Sequence, residues 1–148
     1  MIETRSAEET RALGYRLAKL LRPGDIVLLQ GELGAGKSEL ARGVARGLGV
    51  TGPVPSPSFT ILNAYDEGSL PFYHFDWYRI DDPEEIAEMG FEEQLHGDGV
   101  SLIEWSERAA EFLPERVLNV CIHPVDESTR QIVFEPRGGF QISEEMLQ

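Results

Sequence analysis

Lysine is almost missing from this chain. Of 13 basic residues in 148, only Lys19 and Lys37 are lysines and the other eleven are arginines. They face 26 acids, for a formal net charge of −13. A chain this acidic repels phosphate backbones and anionic lipid, which excludes the non-specific nucleic-acid and membrane binders as classes. Cysteine occurs once, at Cys121, so no intrachain disulfide is available and nothing calls for an oxidising compartment. Long apolar runs are also lacking. The longest aliphatic stretch, Ile26–Leu29, is far too short to cross a bilayer. Met1–Ser6 has no basic start leading into an apolar run, so no signal peptide is read. Repeats, low-complexity tracts and linkers are absent as well. The expectation is one soluble, cytoplasmic domain over 1–148, with 41% hydrophobic residues to build its core.

What is present alternates between helical and strand patterns. Ser6-Ala7-Glu8-Glu9 reads as a capping box, and Leu13, Leu17, Leu20 and Leu21 follow at helical spacing. This predicts a helix over Ala7–Leu21, stopped by Pro23-Gly24. Asp25–Gln30 is a short apolar run of the kind buried on both faces of a sheet. A helix is expected over Ser38–Leu48, with Gly49 after it. Prolines 53, 55 and 57 hold an ordered extended loop. Strands are then expected at Phe59–Tyr65, Pro71–Trp77 and Val100–Trp105, and a strand pair at Val117–His123 and Arg130–Glu135. Short helices are expected from Asp82-Pro83 to Met89, near Ser106–Phe112 and at Ser143–Gln148.

The second lysine sits in the most informative segment. Gly31-Glu32-Leu33-Gly34-Ala35-Gly36-Lys37-Ser38 matches the phosphate-binding pattern G-x-x-x-x-G-K-[ST] without a gap, between a buried strand and a helix. Glycines let successive amides curl toward phosphate oxygens, and the helix that follows offers its positive end to the anion. Lys37 is placed to reach the β- and γ-phosphates, and the Ser38 hydroxyl to ligate Mg²⁺. The expected nucleotide-binding set is Gly31, Gly34, Ala35, Gly36, Lys37, Ser38 and Glu39.

Such a loop specifies nucleotide binding but not the reaction. Two acids close expected strands, Asp76 in His74-Phe75-Asp76-Trp77 and Glu104 in Leu102-Ile103-Glu104-Trp105. Either can serve beside magnesium or orient a water, and Glu104 has the more aliphatic approach. Ser56, Ser58 and Thr60 carry hydroxyls on the proline-stiffened loop, as a γ-phosphate-sensing switch would or as turn caps would. Arg79 either stabilises charge on a transferred phosphate or pairs with Asp76, and the pair is favoured. His74 is read as a packed core histidine. His96, His123 and Cys121 show no zinc spacing. From Asp81 to Glu107 ten acids occur without one basic residue, as a solvated face or as a docking face for a basic partner.

Taken in order, the glycine-rich loop, Ser56-Pro57-Ser58-Phe59, His74-Phe75-Asp76-Trp77-Tyr78-Arg79 and Leu102-Ile103-Glu104-Trp105 resemble the TsaE (formerly YjeE) family, over most of the chain up to about Ile132. Ser38 and Ser58 stand where that family usually has threonine, and both keep the hydroxyl. The resemblance implies an α/β, three-layer P-loop NTPase fold with a central mixed, mainly parallel sheet. It implies slow, Mg²⁺-dependent ATP hydrolysis in support of tRNA threonylcarbamoyladenosine synthesis, together with a TsaB–TsaD-like complex that does the transfer. It also places Ser38 and Glu104 on Mg²⁺ and has Asp76 support hydrolysis. The negative charge agrees with a protein that makes no stable direct contact with tRNA. A small metabolite kinase and a nucleotide-dependent binding module with vestigial hydrolysis remain the alternatives. The kinase is weakened by the lack of any arginine between Arg79 and Arg108 for a lid.

Overall fold

The structure, a computed structural model, describes residues 1–32 and 34–148, so Leu33 of the glycine-rich loop lies outside the described residues. In chain order its elements are β1 (Ile2–Thr4), α1 (Ala7–Ala18), β2 (Ile26–Gly31), α2 (Lys37–Gly47), β3 (Leu62–Tyr65), β4 (Phe72–Asp76), α3 (Glu84–Glu88), α4 (Glu92–Leu95), β5 (Val100–Glu104), β6 (Val117–Pro124) and β7 (Arg130–Arg137). Two 3₁₀ segments, Ser106–Phe112 and Glu144–Leu147, complete the chain.

The strands form one sheet in the order β1-β7-β6-β2-β5-β4-β3. Its centre is parallel, with β2 between β5 and β6 and with β4 beside β5. Antiparallel pairing is confined to the two sides, β3 on β4 and β6-β7-β1. This is a mixed sheet with a parallel centre, as the family resemblance implied. The residues of β2 from Ile26 to Leu29 and all of β5 are buried, as strands covered on both faces must be.

Alternation along the strands assigns the two faces. Val27 and Leu29, Phe72, Val100 and Leu102, and Leu118, Val120 and Ile122 pack with Leu13 and Leu17 of α1 and Leu40 and Val44 of α2. Ile26 and Leu28, Phe75 and Ile103 point the other way, onto Trp77, Ile80, Ile86, Leu95 and Ala109. The result is three layers, with two regular helices on one face and two short helices and a 3₁₀ segment on the other.

The helices α1 and α2 cross with almost no space between them. A methyl on Gly43 would lie 2.0 Å from the Arg11 carbonyl oxygen, and one on Gly14 would lie 2.4 Å from the Leu40 carbonyl oxygen. Backbone therefore rests on backbone, which fixes where α2 begins relative to the sheet.

Several boundaries differ from expectation for local reasons. α1 stops at Ala18, and the amides of Leu20 and Leu21 turn back to Leu17 and Ala18 in a tighter turn. The strand expected from Phe59 begins only at Leu62, because Ile61 takes φ 68° and the Thr60 and Ile61 amides both bond the Pro57 carbonyl. β5 ends one residue early because Trp105 takes φ 59°. β1 and α4, three and four residues long, were not anticipated.

Gly43→Ala tests the crossing. Alanine gains about 1 kcal/mol in helix propensity, but the collision with a main-chain oxygen forces two packed helices apart at a cost of roughly 1–3 kcal/mol plus lost burial. Urea unfolding is expected to show net destabilisation, opposite to the sign that propensity alone gives.

Candidate functional site

The glycine-rich loop leaves the sheet where side chains would not fit. A Cβ on Gly31 would lie 3.0 Å from the Ile122 carbonyl oxygen and 3.1 Å from the Ala35 methyl. Gly34 and Gly36 then take φ 82° and 103°, the left-handed region open to glycine at no steric cost. Ala35 is buried, and its amide donates to the Glu32 carbonyl at 3.0 Å. No side chain caps the start of α2, and the first bond into the Gly36 carbonyl comes from Leu40, at 3.1 Å. The amides of Lys37, Ser38 and Glu39 are thereby left at the positive end of the helix, facing a cavity of about 720 Å³.

The parallel centre of the sheet brings the acids to the same edge. β2, β4 and β5 end together, and Asp76 and Glu104 are register partners across β4 and β5. Phe72 faces α1 and α2, so with a period of two His74 and Asp76 do too. Glu104 follows Leu102 onto that face by the same count. Its Oε2 accepts from His74 Nε2 at 2.8 Å, and its Oε1 lies 3.7 Å from Lys37 Nζ. Lys37 is also 5.6 Å from the centre of the Trp105 ring. Asp76 Oδ1 accepts from the Tyr78 amide at 2.9 Å. Its Oδ2 has no hydrogen bond among the described residues.

Most of the expected residues line this one cavity: Gly34, Gly36, Lys37, Ser38, Glu39, Ser56, Ser58, Asp76 and Glu104. Gly31 and Ala35 stand behind it as the hinge and floor of the loop. The Glu39 carboxylate is bound by Arg11 and Arg42, so its amide is what it presents to the cavity. Thr60 is not in the lining; its hydroxyl donates to Asn63 Oδ1 at 2.7 Å, while Ser56 and Ser58 bond each other at 2.7 Å.

Two readings are corrected. Arg79 does not pair with Asp76. The chain turns after β4, carrying the Arg79 Nε–H to the Ser58 carbonyl at 2.9 Å and its guanidinium over the Phe59 ring at 4.6 Å. His74 is buried as expected, but it serves Glu104 rather than only packing against Phe72. Arg130 and Tyr78 also line the cavity, and neither carried a spacing signal as a site residue.

These residues suit a metal that arrives with a nucleotide better than a free-standing metal site. Among the described residues no group of three or more His, Cys, Asp or Glu is arranged around a common point. One hydroxyl and two carboxylates are the sparse, hard set that Mg²⁺ takes when phosphates complete its shell. Cys121 does not line this cavity, and burial and then the Glu135 carboxylate push its thiol above the ordinary range.

The chain matches the family model described as "Threonylcarbamoyl adenosine biosynthesis protein TsaE" over residues 4–132. This chain belongs to the TsaE family. The TsaE protein of Bacillus subtilis (strain 168) is 42% identical to it over 135 residues, covering 91% of this chain and 84% of the relative. That of Nostoc sp. is 41% identical over 133 residues, covering 87% and 81%. Both relatives are named tRNA threonylcarbamoyladenosine biosynthesis proteins. The crystal structure of YdiB from Bacillus subtilis superposes with a TM-score of 0.80 at 39% identity, covering 93% of this chain and 84% of that one. The layered sheet is thus the architecture of a solved relative.

The His74–Glu104 contact has a measurable weight in this TsaE-family chain. Replacing His74 with Phe keeps much of the ring volume but leaves the Glu104 Oε2 acceptor buried and alone, a loss of about 1–3 kcal/mol. Urea unfolding of His74→Phe beside the unaltered protein reads it out, and equal midpoints would remove the contact as a stabilising one.

Proposed function

We propose that this chain binds ATP, hydrolyses it slowly with Mg²⁺, and in its nucleotide-bound form supports tRNA threonylcarbamoyladenosine synthesis by docking on a TsaB–TsaD-like complex. One observation carries the ATPase reading. Lys37, Ser38, Asp76 and Glu104, drawn from three separate elements, converge on a single cavity at the parallel edge of the sheet. Family membership carries the biosynthetic role.

In this reading the triphosphate lies along the amides that open α2, and Lys37 exchanges the Glu104 carboxylate for the β- and γ-phosphates. That exchange frees Glu104 Oε1, while His74 keeps the other oxygen in place. Ser38 and Glu104 would hold Mg²⁺, which supplies charge neutralisation on the phosphate oxygens. Asp76 is tied down through Oδ1 and offers Oδ2 to orient a water. Hydrolysis is favoured over transfer to a small acceptor because both arginines on the cavity, Arg79 and Arg130, are engaged with main-chain carbonyls. Neither stands free as a transfer clamp.

The same reading assigns the acidic stretch to a partner. Asp81, Asp82, Glu84, Glu88, Glu92, Glu93 and Asp98 are exposed, and none is ion-paired among the described residues. That surface suits a basic protein and disfavours direct tRNA contact.

Two measurements test the proposal. Lys37→Ala is expected to lose ATP affinity by calorimetry while the chain still folds, at a modest cost in stability because Glu104 keeps His74 but loses its ammonium neighbour. Asp76→Asn and Glu104→Gln are expected to keep binding and lose phosphate release by about tenfold or more. Full turnover in Glu104→Gln would move the metal-side role to Asp76, and equal ATP affinity in Lys37→Ala would remove the phosphate cradle.

For the partner, sedimentation with TsaB–TsaD is expected to show association that differs between ATP and ADP and weakens with salt. No association in either nucleotide, or tight binding to tRNA alone, would leave a generic ATPase.

A further inference from the structure

The turn between β6 and β7 reaches back to the glycine-rich loop through one side chain. Arg130 opens β7 and is half-buried. Its Nε–H donates to the Ala35 carbonyl at 2.8 Å, and Nη2 lies 3.4 Å from the Gly34 carbonyl. The rest of the fork is anchored in its own turn. Nη1 donates to the carbonyls of Asp126 at 2.7 Å and Thr129 at 3.0 Å, and Nη2 to that of Glu127 at 3.3 Å. A Cβ on Gly36 would meet Arg130 Nε at 3.5 Å and its Cδ and Cγ at 3.9 Å, so the side chain also lies flat against Gly36.

The turn that anchors the fork is itself braced. Asp126 Oδ1 accepts from the amides of Ser128 at 3.0 Å and Thr129 at 2.8 Å, and these bonds hold its carboxyl below the ordinary carboxylate range. The Val125 amide closes the turn on the Thr129 carbonyl at 2.9 Å.

The Gly34-Ala35-Gly36 stretch has no polar side chain with which to hold its own shape, and its glycines make the ordered form entropically costly. The Ala35 carbonyl and the Gly36 N–H belong to one planar peptide unit and point in opposite directions. Fixing that carbonyl therefore fixes the direction in which the amide is presented. We propose that Arg130 is a positioning residue for nucleotide binding: by bridging the Gly34 and Ala35 carbonyls to the 125–129 turn, it holds the cradle in its anion-binding shape before nucleotide arrives. The inference rests on the phosphate-cradle reading of this loop. Charge alone does not perform the task, because an ammonium is a point donor whereas the planar guanidinium serves both segments at once.

The test compares the unaltered protein with Arg130→Lys and Arg130→Gln. ATP affinity is measured by calorimetry, phosphate release at saturating ATP, and hydrogen exchange of the 31–38 segment without nucleotide. Both variants are expected to lose affinity about tenfold, the scale of a charged hydrogen bond, while saturated turnover stays within about twofold. Exchange in the loop is expected to rise in both before any nucleotide is added. Wild-type affinity in Arg130→Gln, or full rescue by Arg130→Lys, would overturn the inference, the latter by assigning the effect to charge. So would lost affinity with unchanged exchange. Lysine keeps the charge and most of the stem against Gly36, so Arg130→Lys carries the test if Arg130→Gln does not fold. Absence of ATP binding by the unaltered protein would instead bring down the cradle reading, and this inference with it.

Discussion

A carboxylate at the end of a buried strand needs partners, and Glu104 obtains them from two directions. With only 7% of its surface exposed, it depends on His74 from the neighbouring strand and on Lys37 from the first turn of α2. Both partners depend on alignments far from the carboxylate. A slip of one residue between β4 and β5 would turn His74 to the opposite face. A helix displaced by one methyl at the α1–α2 crossing would carry Lys37 away. The sheet register, the bare glycine contacts and the ionic contact are thus one interlocked condition. Of the two partners of Glu104, Lys37 is also the one assigned to the phosphates, whereas His74 serves the carboxylate alone.

The scarcity of lysine has a structural counterpart in what the arginines do. Arg16 bonds the Leu147 carbonyl, Arg46 those of Val50 and Gly52, Arg79 that of Ser58, and Arg130 those of the glycine-rich loop and its own turn. In each case a guanidinium fastens irregular backbone, including the C-terminal 3₁₀ segment and two loops on the cavity. A planar fork with five donors suits several carbonyls at fixed angles, and it keeps its charge at any pH the protein meets. In a chain with twice as many acids as bases, much of the positive charge is thereby committed to holding main chain in place.

The glycine-rich turn between strand and helix, the buried strands and the two strand-end acids were legible because each is written in contiguous residues. The glycine-rich pattern is eight residues long, and the largely apolar runs at Ile26–Leu29 and Val100–Ile103 leave little choice of structure. What escaped depends on contacts between distant segments. Arg130 and Ala35 are 95 positions apart, and nothing near either one announces the other. Arg79 looked like a partner for Asp76 at a spacing of three, yet that spacing means proximity only if the backbone keeps one regular form, and here it turns. Ile61 and Trp105 defeated the strand boundaries because β-branched and aromatic residues favour extended backbone, whereas both are held left-handed by their surroundings. Thr60 was read from its hydroxyl as a switch residue or a turn cap, and that hydroxyl bonds Asn63 outside the cavity lining.

The position of β2 also orders events during synthesis. It is made early, as residues 26–31, yet its hydrogen-bonding neighbours are β5 at 100–104 and β6 at 117–124. Until the ribosome has delivered most of the chain, the strand leading into the glycine-rich loop has no edge to join. The guanidinium that fastens the loop comes later still, at residue 130, on the strand that also receives β1. Helices α1 and α2 can meet long before that, since both lie within the first 47 residues. The nascent protein can thus hold a preformed helical pair that waits for its sheet, and the cavity at the glycine-rich loop is among the last features to become whole.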